Sequence, residues 1–73
     1  MKKLANVLEY VHLNATGSNQ RTRAFQEALR VTQQAKTTKS FVKIVRELWE
    51  HAHSDVSKQA YYDILWYALE EKP

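Results

Sequence analysis

Four cations, Lys36, Lys39, Lys43 and Arg46, recur at spacings of three, four and three. On a helix that spacing lines them along one face, opposite Phe41, Ile44 and Leu48. Like charges at i, i+4 repel, and each pair costs a helix roughly a few tenths of a kcal/mol. An acidic protein surface or a phosphate relieves that repulsion, and a phosphate ligand makes affinity fall steeply with salt. The plain alternative is a solvated helix face. A second basic group, Arg21 and Arg23, stands at the expected start of a helix, where cations oppose the helix dipole. They help folding little there, which favours contact with a partner. Arg23, Glu27 and Arg30, at spacings of four and three, read instead as a surface ion-pair network worth at most about 1 kcal/mol.

Aromatic residues are the other chemistry-bearing set. Trp49, Tyr61, Tyr62, Trp66 and Tyr67 crowd into the last third of the chain. Tyr61 has the register of Ile64 and Leu65 and reads as core. Tyr62 and Trp66 lie four apart on a flanking line, and Tyr67 aligns with Asp63 and Glu70 on the polar face. Tyrosine and tryptophan dominate binding hot spots, so Tyr62, Trp66 and Tyr67 are candidate anchors, with Trp49 behind them. The alternative is an ordinary set of half-exposed amphipathic rings.

Other chemistries find no footing. No Ser/His/Asp or Cys/His arrangement can be argued from spacing, so no enzyme is expected. Phosphate-cradling loops need several glycines, and Gly17 is the only one. There is no cysteine, which removes disulfides and cysteine-ligated zinc. His51 and His53, two apart, would diverge by about 200° on a helix and cannot chelate together. No metal and no cofactor are expected.

The charge is segregated along the chain. Residues 1–46 carry nine Lys/Arg against two acids, a net +7, while residues 47–73 carry two Lys against six acids, a net −4. Such polarity reads as a binder of charged macromolecules. At 73 residues the chain is one domain. A chain this short buries only about 60% of its unfolded surface, so its core must be densely packed. No stretch approaches the roughly 18 apolar residues of a membrane span. The start from Met1 to Glu9 has the charged opening of a signal peptide, but Asn6, Glu9 and His12 interrupt it, and it reads as a structural helix. Absent cysteine suits a reducing cytosol.

One Gly and one Pro leave little turn punctuation, so the body should be helical. Leu4, Val7, Leu8 and Val11 follow a helical period over about Lys3 to His12. The cluster from Asn14 to Asn19 supplies the first break. A second helix over about Asn19 or Gln20 to Ala35 takes Ser18 or Asn19 as N-cap. Its stripe is Ala24, Phe25, Ala28, Leu29, Val31, Thr32 and Ala35. Thr37, Thr38 or Ser40 caps a third, over about Lys39 to His53, whose core face is Phe41, Ile44, Val45, Leu48 and Ala52 with Val42 and Trp49 at the border. Ser40 to Val45 has strand-like propensity, but the helical period runs on through Glu50 without a turn. Ser54 or Asp55 caps a fourth, over about Val56 to Glu71, with Ala60, Tyr61, Ile64, Leu65, Ala68 and Leu69 inward. Glu70 and Glu71 oppose its dipole and Lys72 partly offsets them. The expected fold is all-α, a compact bundle of three to four short helices over residues 1–73.

The Met1-Lys2-Lys3 start, the chain length, and the stretches Arg21-Thr22-Arg23 and Phe41-Val42-Lys43-Ile44-Val45-Arg46 together resemble the small RNA polymerase-binding transcription regulators of lytic Xanthomonas phages. The resemblance spans the whole chain and supplies no diagnostic motif from which single-residue roles transfer. It implies a protein of the host cytoplasm that binds a host RNA polymerase subunit, inhibits initiation by displacing the sigma factor, and promotes antitermination. Beside it, the residues themselves nominate Arg21, Arg23, Lys36, Lys39, Lys43 and Arg46 as an electrostatic side and Tyr62, Trp66 and Tyr67 as anchors. A monomer is expected. The rival reading is a small basic helix-turn-helix-like DNA-binding regulator, with Ser40, Lys43 and Arg46 on a reading helix, although the usual glycine-containing turn is missing. Nucleic acid contact through the basic face fits either reading.

Overall fold

Local capping chemistry decides where the helices start. The computed structural model describes residues 1–70, and these form α1 (Leu4–Asn14), α2 (Gln20–Val31), α3 (Thr38–Glu50) and α4 (Asp55–Leu69). Asn19 caps α2 by accepting the Thr22 N–H at 2.8 Å. Thr37 and Ser40 form a reciprocal capping box on α3, so two of its orphan donors are satisfied together. Ser54 caps α4 by accepting the Ser57 N–H at 3.1 Å, and Asp55 in the first turn suits the helix dipole. Gly17, at φ 126°, makes the turn between α1 and α2 in a conformation that side chains disfavour. Gln26 fastens that turn by donating to the carbonyls of Ala15 and Gly17.

The first helix has no side-chain cap, because Lys3 stands at its N-cap position. Its entry is held from outside. The Lys2 N–H donates to the Ala68 carbonyl at 2.9 Å, and the Thr38 hydroxyl donates to the Lys2 carbonyl at 2.7 Å. The N-terminal ammonium and Lys2 both pair with Glu70. This strap ties α1 to the end of α4 and the start of α3.

Packing centres on α4, which touches all three other helices and rests most heavily on α3. Its buried residues are Ala60, Tyr61, Ile64, Leu65 and Ala68, met by Val7 and Val11 of α1, Ala24, Phe25 and Ala28 of α2, and Phe41, Val42 and Val45 of α3. Alanines at Ala24, Ala28, Ala60 and Ala68 keep side chains short where the helices press together. The fold is an all-α bundle of four short helices, and no strand occurs among the described residues. No helix among them is long and apolar enough to cross a membrane.

Three boundaries differ from the sequence expectation. The second helix stops at Val31 rather than Ala35 because Thr32 is buried and turns its hydroxyl back onto the Ala28 carbonyl at 2.6 Å. The third stops at Glu50, with the His51 N–H closing onto the Glu47 carbonyl and the Ala52 N–H onto that of Trp49. The fourth stops at Leu69, where Glu70 adopts a left-handed conformation at φ 56°. Glu71 and Lys72, expected to shape that terminus, lie outside the described residues. The inward face of α3 is also rotated from the expectation. Val42 is buried, whereas Ile44 and Leu48 are only half-buried.

Candidate interaction face

The rotation of α3 moves its cations. With Val42 in the core, Lys39, Lys43 and Arg46 do not stand opposite the buried face but along its edge, next to Val42. All three are exposed, and none makes an ion pair among the described residues. Lys36 does not belong to the helical ladder. It precedes the Thr37 cap in the connecting segment, so the four-residue stripe expected from the spacing is a three-residue stripe with one cation ahead of it. A shallow trough floored by Val42 runs among Thr37, Ser40 and these helical cations.

Arg46 also borders a second opening. Between α3 and α4 lies a groove of about 500 Å³, lined by Arg46, Trp49 and Glu50 on one side and Tyr62, Leu65, Trp66 and Leu69 on the other. Trp66 and Tyr62 form a tilted pair with ring centroids 6.4 Å apart. The Trp66 indole N–H donates to the Tyr62 hydroxyl oxygen at 2.7 Å, which fixes both rings and leaves the phenolic proton free to face outward. Tyr62 is 43% exposed, so its ring is open to a partner. At the far end, the Lys58 ammonium sits over Trp49 at 4.9 Å from the ring centre, close enough for a cation–π contact. The two surfaces expected from sequence, one basic and one aromatic, therefore adjoin at Arg46.

The remaining candidates lie elsewhere, and two of them, Arg21 and Tyr67, are occupied. The Arg21 guanidinium reaches Asp63 at 2.8 Å and lies over the Phe25 ring at 5.1 Å. That ties the start of α2 to the middle of α4, so the cation placed against the helix dipole has an internal purpose. Gln59 donates to the other Asp63 oxygen at 2.9 Å. Tyr67 is half-buried and stacks on Tyr10, with centroids 4.2 Å apart and planes 7° from parallel. Tyr10 meets Phe25 edge-on at 5.9 Å, and Lys2 lies over Tyr67 at 4.8 Å. Burial, and then the nearby Asp63 charge, push the Tyr10 phenol above its ordinary pKa. Tyr67 is thus a packing residue on the polar side of α4 rather than an open anchor. Arg23 is exposed on α2, a helix that touches α3 sparingly. Glu27 pairs with Arg30 through two hydrogen bonds, and Arg23 is not drawn into that pair.

Sequence reasoning missed Lys58 and Glu50 as neighbours of the aromatic groove. Neither has a local signal, because each is placed by the way α3 packs on α4. A further cleft between α2, α3 and α4 places His51 and His53 near Glu27 and Glu47. Both histidines lie past the end of α3, so the helical divergence expected of them does not apply. Among the described residues no three His, Asp or Glu side chains are arranged to hold a metal ion.

No family model, curated protein or solved structure matches this chain.

Proposed function

We propose that the chain is a transcription regulator that binds the host RNA polymerase of a phage-infected cell, displaces the sigma factor and promotes antitermination. Its likeness over the whole chain to small phage regulators of that kind supplies the partner. The observation that carries the reading as a binding module is the α3 edge, where Lys39, Lys43 and Arg46 have no ion-pair partner among the described residues. Three aligned cations that fold without compensation cost stability, and a complementary surface recovers that cost. The adjoining groove supplies aromatic anchors in Trp66 and Tyr62. The reading as a helix-turn-helix DNA regulator is less well supported. Six residues separate α2 from α3, more than the usual turn of about three to four residues, and α3 rests mainly on α4.

The test uses purified polymerase as core enzyme and as holoenzyme. The protein should bind the core, release prebound sigma factor, and increase readthrough of a terminator in a purified transcription reaction. Reversing Lys39→Glu with Lys43→Glu should weaken binding by about tenfold, because close interfacial charge pairs are worth that much or more. Failure of the unmodified protein to bind either form of the polymerase refutes the reading.

A further inference from the structure

We propose that the α3 edge and the α3/α4 groove together form a track for single-stranded RNA. The proposal rests on the reading of this face as the contact face and names what occupies it. Lys39 and Arg46 are separated by seven residues, so about 10 Å along the helix at 1.5 Å per residue. That length spans about three nucleotides at a stacked rise of 3.4 Å. Among the described residues the three cations have no carboxylate partner, which leaves them to neutralise phosphates.

The same line then runs into aromatic rings. Arg46 borders both the basic trough and the groove that holds Trp49, Tyr62 and Trp66. A strand whose phosphates follow Lys39, Lys43 and Arg46 delivers its next bases to that groove. Cations tracking a backbone beside rings that stack on bases are the two components of single-strand recognition. Tyr62 and Trp66 are held by their mutual hydrogen bond, so stacking on them costs little ordering.

Charge excludes a duplex. Glu50 lies in the groove and Asp55 at its far end, beside Lys58. A second phosphate backbone laid across α4 would meet these carboxylates, and paired bases would offer no free face to the rings. An acidic protein segment satisfies the cations equally well, but its Asp and Glu side chains offer the rings no base faces to stack on. Glu50 also favours RNA over DNA, since its carboxylate can accept a hydrogen bond from a 2′-hydroxyl.

Fluorescence anisotropy with a labelled single-stranded RNA of about ten nucleotides, in the absence of polymerase, tests this directly. Binding should fall with a log–log salt slope near −2, from three phosphates at about 0.7 each. Tryptophan emission should be quenched as bases stack. Lys39→Gln with Lys43→Gln, and separately Tyr62→Leu at an exposed position, should each weaken binding about tenfold with helical content unchanged. Arg30→Gln, distant from the face, should stay within twofold. No binding at low salt overturns the proposal, as does equal affinity for the matching duplex. Displacement of the RNA by poly-glutamate at matched charge also overturns it and assigns the face to acidic protein. Equal affinity for single-stranded DNA overturns the choice of RNA. RNA binding without polymerase binding upholds this proposal and sinks the polymerase reading. Polymerase binding without RNA binding does the reverse.

Discussion

Arg21 and Arg46 carry the same guanidinium and meet opposite fates. Arg21 is paired with Asp63 and covers Phe25, while Arg46 makes no ion pair among the described residues and borders two openings. The aromatic residues divide in the same way. Tyr67 is stacked on Tyr10 under Lys2, while Tyr62 is exposed and hydrogen-bonded to Trp66. Where α1, α2 and α4 meet, the polar and aromatic groups are spent on holding the bundle. Along α3 and its groove with α4 they are left available. A small domain has few such groups, and those it leaves unsatisfied mark where a partner can be recognised.

Removing a ring from the spent side should cost most. Phe25 is fully buried and meets both Tyr10 and Arg21, so Phe25→Ala should lose about 3–5 kcal/mol, measured by urea denaturation. Next, Tyr67→Ala should lose about 2 kcal/mol, from partial burial and the stacked pair. A Tyr67→Ala protein as stable as the parent would erase the contrast between Tyr67 and Tyr62. The opposite pattern is expected on the available side. Lys39→Glu with Lys43→Glu should weaken partner binding about tenfold yet leave the urea midpoint nearly unchanged, since exposed positions usually move stability by no more than about 0.5 kcal/mol. The smallest effect is expected from Arg21→Gln. Its pair with Asp63 is partly exposed, so about 0.5–1 kcal/mol of stability should be lost, with partner binding unaffected. A loss of binding in that variant would return Arg21 to the contact face.

Much of this architecture was legible locally. The helical periods, the break at Asn14 to Asn19, and short sets of cap candidates that include Asn19, Thr37 and Ser54 follow from nearest-neighbour chemistry, because a cap and its recipient N–H lie within one turn. The inward set of α4 was legible for the same reason, except that Leu69 is only half-buried. The rotation of α3 was not. Phe41, Val42, Ile44 and Val45 are all apolar, so the period alone admits two faces, and packing against α4 selects the one that includes Val42. That choice decides whether the cations stand opposite the core or beside it. The partners of Arg21 and Tyr67 were also out of reach, because Asp63 and Tyr10 lie on other helices and nothing near either residue announces the contact. Lys36 illustrates the limit of spacing. It fits the ladder numerically, but the cap at Thr37 starts the helix after it.

The division between a structural side and a contact side comes down to two charge-matched double variants, Arg21→Gln with Arg23→Gln and Lys39→Gln with Lys43→Gln. Each removes two positive charges, so bulk electrostatic attraction changes equally. The measurement is their affinity for core RNA polymerase, side by side at one salt concentration. Loss of roughly tenfold in the α3 pair, with the α2 pair within twofold of the parent, is the predicted result. Equal losses in both, or a larger loss in the α2 pair, would contradict the account.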